Sequence, residues 1–107
     1  MFEVLRYQTE GGRVPFSDWL ASIQDKAIEA KIRVRLRRLE AGLFGDCEPV
    51  GDGVLELREH VGAGCRIYFG RQGRMIIVLL VGGTKRTQAR DIQEAKTYWA
   101  DWKRRQP

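Results

Sequence analysis

Hydrophobic positions recur along the chain with two different periods, and their order predicts a mixed fold. Phe2 to Tyr7 alternates roughly between apolar and polar side chains, which predicts a short strand that ends at Glu10-Gly11-Gly12. Pro15 to Leu20 predicts a short helix, because a proline in the first turn of a helix loses no hydrogen bond. A longer helix is predicted from about Asp25, since apolar residues then recur at spacings of three and four. These residues are Ile28, Ile32, Leu36, Leu39 and Leu43, and Gly42 or Gly45 ends the helix.

Three strands are predicted in close succession in the second half of the chain. Val54 to His60 and Gly64 to Phe69 alternate, whereas Arg74 to Val81 is continuously apolar after its first residue. Glycines in the two short connections permit tight hairpins, so the three segments form an antiparallel meander. The last strand is expected inside the sheet, because only a strand covered on both faces tolerates such a run. The segment around Pro49 and Gly51 that precedes them is predicted to be a loop.

The final segment, from about Thr87 to Arg105, returns to a helical period. Its apolar stripe includes Trp99 and Trp102, which we interpret as the face that docks on the sheet, with a binding stripe for bases or for a partner as the alternative. The order of elements is then a strand, two helices, a three-stranded antiparallel meander and a C-terminal helix. The sequence thus predicts an α+β fold in a single domain that spans residues 1–107.

The composition limits which partners the protein is expected to bind and which metals or cofactors it could use. A formal charge of +5 and a pI near 9.6 favour an anionic partner, either nucleic acid or an acidic protein. His60 is the only histidine, and Cys47 and Cys65 have no spacing typical of zinc, so we expect neither a metal nor another cofactor. No apolar run approaches the ~20 residues that cross a bilayer, which predicts a cytoplasmic protein without a membrane partner.

A basic run accompanies the apolar stripe of the long helix. Two interpretations stay open: a surface that binds RNA or an acidic partner, and an ordinary solvated helix face. The run consists of Lys31, Arg33, Arg35, Arg37 and Arg38.

Strand alternation collects polar residues on one face of the meander. Leu55 and Leu57 point to one side, and Cys65, Ile67 and Phe69 continue that apolar face on the next strand. If helices cover the apolar face, the opposite face is open. It carries Glu56, Arg58, His60, Arg66 and Tyr68, with Lys85 and Arg86 delivered beside it at the end of the last strand.

Such a basic patch beside the start of a helix is suited to phosphate recognition, and RNA supplies its own nucleophile, the 2′-hydroxyl. Arginine and lysine could stabilise the charge of the transition state, while Glu56, Tyr68 or His60 could move protons. The plain structural interpretations are cross-strand ion pairs among Glu56, Arg58 and Arg66, half-buried packing for Tyr68 and a solvent-exposed side chain for His60.

The stretch VLLVGGTKRTQARDI, residues 78–92, has the order of parts of a nucleotide-binding phosphate loop, but it departs from that motif. The motif requires a lysine directly after a glycine and then a hydroxyl residue. Here Thr84 separates Gly83 from Lys85, and Arg86 stands where the hydroxyl residue is needed. A nucleotide cofactor is therefore not expected.

The segments GVLELREHVGAGCRIYF and IIVLLVGGTKRTQARDIQEAKTYW, together with PFSDWL, resemble the RelE/ParE superfamily of type II toxins, and within it the HigB-like addiction module killer proteins. The resemblance covers nearly the whole chain. It implies a RelE-like microbial RNase toxin fold in one toxin domain. It also implies a metal-independent mRNA endoribonuclease that inhibits translation, usually on the ribosome, with a helix-turn-helix antitoxin as partner and a heterotetramer as one possible assembly.

The resemblance assigns catalytic roles to the basic residues Arg58, Arg66 and Lys85, with Glu56 and Tyr68 as helpers, and RNA binding to Arg58, Arg66, Lys85 and Arg86. Some members use a tyrosine near their end or several histidines; Tyr98 is not a clear counterpart and His60 stands alone, so the general base and acid stay unassigned. Two other hypotheses stay open. One is a ParE-type toxin that poisons DNA gyrase by protein binding, and the other is a nucleic-acid-binding module without activity.

Overall fold

The computed structural model describes residues 1–106, which form five strands and three helices. In chain order these are β1 (Glu3–Arg6), α1 (Pro15–Ser22), α2 (Lys26–Glu40), β2 (Cys47–Gly51), β3 (Val54–Glu59), β4 (Cys65–Gln72), β5 (Ile76–Thr84) and α3 (Gln88–Arg104), with a 3-10 turn over Lys85–Thr87. The α+β class and the three helices are confirmed.

All five strands belong to one mixed sheet, in the order β1-β5-β4-β3-β2. β1 runs parallel to β5, and every other neighbouring pair is antiparallel. β5 is an interior strand, as its apolar run predicts, although β4 is the middle one.

The predicted three-stranded meander is wrong by one strand, because the segment assigned to a loop contains β2. Pro49 and Gly51 suggested a loop, but β2 pairs only with β3 and is an edge strand. Proline is tolerated at an edge because its missing N–H costs no ladder hydrogen bond there. An irregularity between Pro49 and Gly51 marks the end of the pairing.

Helices cover both faces of the sheet. α1 and α2 lie on the face that carries Leu57, and α3 lies on the opposite face, where Trp99 is buried. Two glycines allow the helices to approach the sheet closely. A Cβ on Gly82 would overlap the ring of Trp19 in α1, and a Cβ on Gly70 would overlap the ring of Trp99 in α3. The docking interpretation of Trp99 is thus confirmed.

α2 begins where Asp25 caps it, since the Asp25 carboxylate accepts hydrogen bonds from the backbone N–H groups of Ala27 (2.9 Å) and Ile28 (3.3 Å). One member of its basic run is not a surface residue. Arg35 is buried and donates to the carbonyl oxygens of Phe44 (3.0 Å), Asp46 (3.0 Å) and Arg58 (2.5 Å). Within residues 1–106, no helix is long and apolar enough to cross a membrane.

Candidate functional site

Strand alternation correctly predicts which polar side chains share one face of the sheet, but that face is not open. Glu56, Arg66 and Tyr68 do lie on one side, and α3 covers much of it. Glu56 is only 2% exposed and Tyr68 is fully buried. Arg66 is 8% exposed, so the prediction of an open face is wrong for these three residues. The terminal helix packs on the surface that the alternation left free.

Glu56 is the centre of the buried polar cluster. Its Oε2 accepts hydrogen bonds from Tyr68 Oη (2.8 Å) and from Gln88 Nε2 (2.8 Å). The guanidinium groups of Arg66 and Arg58 lie 3.8 Å and 4.0 Å from its two oxygens. Burial, and to a smaller extent the hydrogen bond to Glu56, raises the pKa of Tyr68 well above its usual value. Tyr68 thus acts as a fixed hydrogen-bond donor and not as a base.

Arg66 is buried in this cluster with part of its guanidinium unsatisfied. The residue is 8% exposed, and its Nε has no hydrogen-bond partner among the described residues. Across the sheet Arg66 pairs with Gly83, and the space where a Gly83 side chain would lie is occupied by the Asp91 carboxylate and the Thr87 hydroxyl. A buried donor without a partner costs free energy, and this Nε faces the Glu56 carboxylate at 3.8 Å. The Nη1 atom, which borders Gly64, is the part of this guanidinium that lies toward Lys85.

Lys85 lies close to Arg66, because its backbone N–H donates to the carbonyl of Gly64 (3.0 Å), the residue two positions before Arg66. Atoms of both side chains border Gly64. Lys85 and Arg86 are exposed and occupy the 3-10 turn between β5 and α3. This turn is fixed by Thr87, whose backbone and hydroxyl contacts with Thr84 form a capping box.

Arg58 differs from Arg66 although the two are directly paired across β3 and β4. Its Nη2 lies 3.2 Å from Asp46 Oδ1 and 3.1 Å from Glu48 Oε1. The hydrogen bond to Glu48 and the charge of Asp46 raise the pKa of Arg58. The Arg58 guanidinium is therefore already bound to carboxylates of its own chain.

His60 does not join the cluster. Its side chain is 75% exposed and its Nε2 contacts Asp46 Oδ2 at 2.9 Å. That hydrogen bond, together with Arg58, holds the pKa of Asp46 below its usual value. The solvent-exposed interpretation of His60 is confirmed.

Four polar residues of this region were not predicted from strand alternation. Gln88 and Asp91 come from α3, and Asp46 and Glu48 from the segment predicted as a loop. The Thr87 hydroxyl donates to the buried Asp91 carboxylate (2.5 Å), which lies against Gly83. Polar residues in the first turn of a helix that follows a buried strand are the signal that could have found Gln88 and Asp91.

No protein-family model matches the chain. A protein of Haemophilus influenzae that is described as uncharacterized is 43% identical over 81 residues, which is 76% of this chain and 82% of that protein. The two proteins belong to one family.

The arrangement can bind an oxyanion. The Nη1 atom of Arg66 and the Cβ atom of the exposed Lys85 both border Gly64, so two positive side chains start from neighbouring positions, while the Arg66 Nε faces the buried Glu56 carboxylate at 3.8 Å. Charge-assisted hydrogen bonds from such groups are the strong ones in proteins. Within residues 1–106, no group of three or more histidine, cysteine, aspartate or glutamate side chains is placed to hold a metal ion.

Proposed function

We propose that this protein is the toxin of a type II toxin-antitoxin system, of the RelE/ParE type and HigB-like, and that it cleaves mRNA. The observation that carries the proposal is the proximity of Arg66 and Lys85: the Arg66 Nη1 and the Lys85 Cβ both border Gly64, at the end of the sheet where β4 begins and β5 ends, and Lys85 is exposed. A phosphodiester of RNA supplies the acceptor oxygens that this pair lacks.

In this proposal the 2′-hydroxyl of RNA attacks the neighbouring phosphate, so the reaction needs no metal ion. The attack places an additional negative charge on the phosphate oxygens in the transition state. Arg66 and Lys85 stabilise that charge, and a well-aimed donor contributes about 3 kcal/mol in comparable oxyanion sites. The products are a 2′,3′-cyclic phosphate and a 5′-hydroxyl end.

The structure changes the roles that the sequence assigned to Glu56 and Tyr68. Both are buried, so in this proposal they position Arg66 and do not exchange protons with RNA. Arg86 is exposed on the same turn as Lys85 and binds a flanking phosphate. The implied partners are a helix-turn-helix antitoxin, mRNA and the ribosome, in the cytoplasm.

The test is to express the protein in bacteria and to map RNA 5′ ends, comparing the wild type with Arg66→Ala and Lys85→Ala. We expect new 5′-hydroxyl ends inside translated frames for the wild type and their loss by about 10²-fold or more in either variant. Lys85→Ala is the more stringent variant, because Lys85 is exposed and its removal leaves the core intact. Arg33→Ala, on the exposed surface of α2, is the matched charge control and should cleave like the wild type.

Intact mRNA would contradict the proposal. If DNA breaks and an SOS response accompanied the intact mRNA, a ParE-type gyrase poison would be the correct function. Binding of RNA without cleavage by the purified protein, with ribosomes present, would instead indicate a nucleic-acid-binding module.

A further inference from the structure

A carboxylate pair on the exposed side of the cluster holds Arg58. Asp46 Oδ1 accepts from Arg58 Nε (3.2 Å) and lies 3.2 Å from Arg58 Nη2, and Glu48 Oε1 lies 3.1 Å from the same nitrogen. Both carboxylates are accessible to solvent, and neither lies in the buried core. They are therefore able to exchange with ions from solution, unlike the buried Glu56.

The backbone fixes this carboxylate pair against Arg58. The N–H of Arg58 donates to the carbonyl of Asp46 (3.0 Å), and the buried Arg35 binds the carbonyls of both residues. Glu48 is held by the sheet, because it pairs with Glu56 across β2 and β3. The ion pairs are thus a built feature of the fold and not chance contacts of mobile side chains.

Charges in this part of the sheet form a regular pattern. Glu48 lies opposite Glu56, and in the neighbouring row Arg58 lies opposite Arg66. Like charges directly opposite each other destabilise a sheet unless counter-charges lie close by. Glu48 and Asp46 neutralise the charge of Arg58. The Nε of Arg66 lies 3.8 Å from the Glu56 carboxylate and makes no hydrogen bond.

We propose that Asp46 and Glu48 determine how many RNA phosphates the site binds. Their carboxylates occupy the Arg58 guanidinium, so the site binds one RNA phosphate at Arg66 and excludes a second from Arg58. This inference rests on the proposed RNA-cleaving function. A neighbouring phosphate of the same RNA binds Arg58 only if it displaces both carboxylates. Removal of either carboxylate leaves a single anion to displace, which makes Arg58 a second phosphate subsite.

The test measures binding of a short single-stranded RNA, with 2′-deoxy substitution to prevent cleavage, at several salt concentrations. We expect Asp46→Asn and Glu48→Gln each to bind more tightly than the wild type. The slope of log Kd against log salt should steepen by about 0.7, the value for one additional phosphate contact on a single strand. The gain should shrink roughly threefold between 50 and 200 mM salt, which follows from that slope.

Glu29→Gln is the matched control. It adds the same unit of positive charge by releasing Arg33 from an exposed ion pair on α2, which lies on the other side of the sheet. If Glu48→Gln and Asp46→Asn changed the slope no more than Glu29→Gln does, the inference would be wrong while RNA binding by the wild type still supported the proposed function. If neither the wild type nor the variants bound RNA, both would be overturned.

A further variant separates charge from contact. Combining Arg58→Gln with Glu48→Gln removes the proposed second subsite and restores the net charge of the wild type. We expect its slope to return to the wild-type value. A slope that stayed steep would show that the effect does not act through Arg58.

Discussion

Two sets of residues, each with a tyrosine, a carboxylate and an arginine, lie at opposite ends of α3, and they are built differently. At the N-terminal end Tyr68, Glu56 and Arg66 are buried together, and the arginine Nε lacks a partner. At the C-terminal end Tyr7 Oη donates to Asp101 (2.6 Å), which also pairs with Arg105 (2.9 Å).

The second set is complete within the chain. Arg105 lies over the ring of Tyr7 and donates to the carbonyl of Gln8 (2.5 Å), and Asp101 receives a further contact from Arg104. This set fastens the end of α3 to β1 and the loop that follows it. The comparison shows that similar residue types form a structural clamp at one end of α3, where Arg105 contacts both Asp101 and Gln8, and a candidate binding site at the other end, where the buried Arg66 Nε has no hydrogen-bond partner.

The largest effect is expected for Glu56→Ala. Removal of the carboxylate leaves Arg66 buried without a counter-charge and also deprives Tyr68 and Gln88 of their acceptor. Loss of one partner of a buried ion pair costs about 3–5 kcal/mol, measurable as a lower free energy of unfolding in urea. Glu29→Ala, on an exposed pair, should change it by less than about 0.5 kcal/mol. Equal effects of the two substitutions would show that the buried Glu56 contributes no more to stability than a carboxylate in an exposed ion pair.

Gly83→Ala is expected to have the next largest effect. A Cβ on Gly83 would overlap the Asp91 carboxylate, so the first turn of α3 would have to shift away from the sheet. Overpacking of this kind costs about 1–3 kcal/mol, and thermal unfolding would measure it. Gly11→Ala is the control, because its Cβ meets only one atom, at 3.9 Å. If Gly83→Ala were as stable as Gly11→Ala, the close approach of α3 would not be a requirement of the fold.

The two tyrosines offer a smaller and more direct comparison. Tyr68→Phe should cost about 2 kcal/mol, because it removes a donor from a buried carboxylate, whereas Tyr7→Phe should cost about 1 kcal/mol, since Asp101 retains other partners. Both free energies are accessible by urea unfolding. A larger loss for Tyr7→Phe would reverse the proposed order of the two sets.

The smallest effect is expected from alkaline titration. Burial, with the hydrogen bond to Asp101, raises the pKa of Tyr7 to about 12, and burial also raises the pKa values of Tyr68 and Tyr98. Because the folded pKa of Tyr7 exceeds the unfolded value of 10.0, its contribution to stability is complete below pH 10 and is lost as the pH rises toward 12. Absorbance of tyrosinate near 295 nm should therefore stay low at pH 10 in the folded protein. Half-ionisation of a tyrosine at pH 10 would contradict this.

Much of the fold follows from local pattern. The helical stripe from Ile28 to Leu39 faces the core as predicted, whereas Leu43 lies beyond the end of α2 and is 63% exposed. The alternation of β3 correctly groups its side chains by face, but both faces are buried. β2 was missed because Pro49 and Gly51 disfavour a strand unless it lies at an edge, and whether it does so depends on the pairing of distant segments.

The sequence alone determined the three helices, four of the five strands and the basic character. It also determined which side chains share one face of β3 and β4, because strand alternation is a local property of the backbone. Only the tertiary structure decided that α3 covers that face and that Glu56 and Tyr68 are buried. It also decided that Arg58 hydrogen-bonds to exposed carboxylates, while Arg66 has only Glu56, at 3.8 Å, and an Nε without a hydrogen-bond partner. These outcomes depend on contacts between residues far apart in the chain. Burial and ion pairing arise from such contacts, and no local pattern in the sequence encodes them.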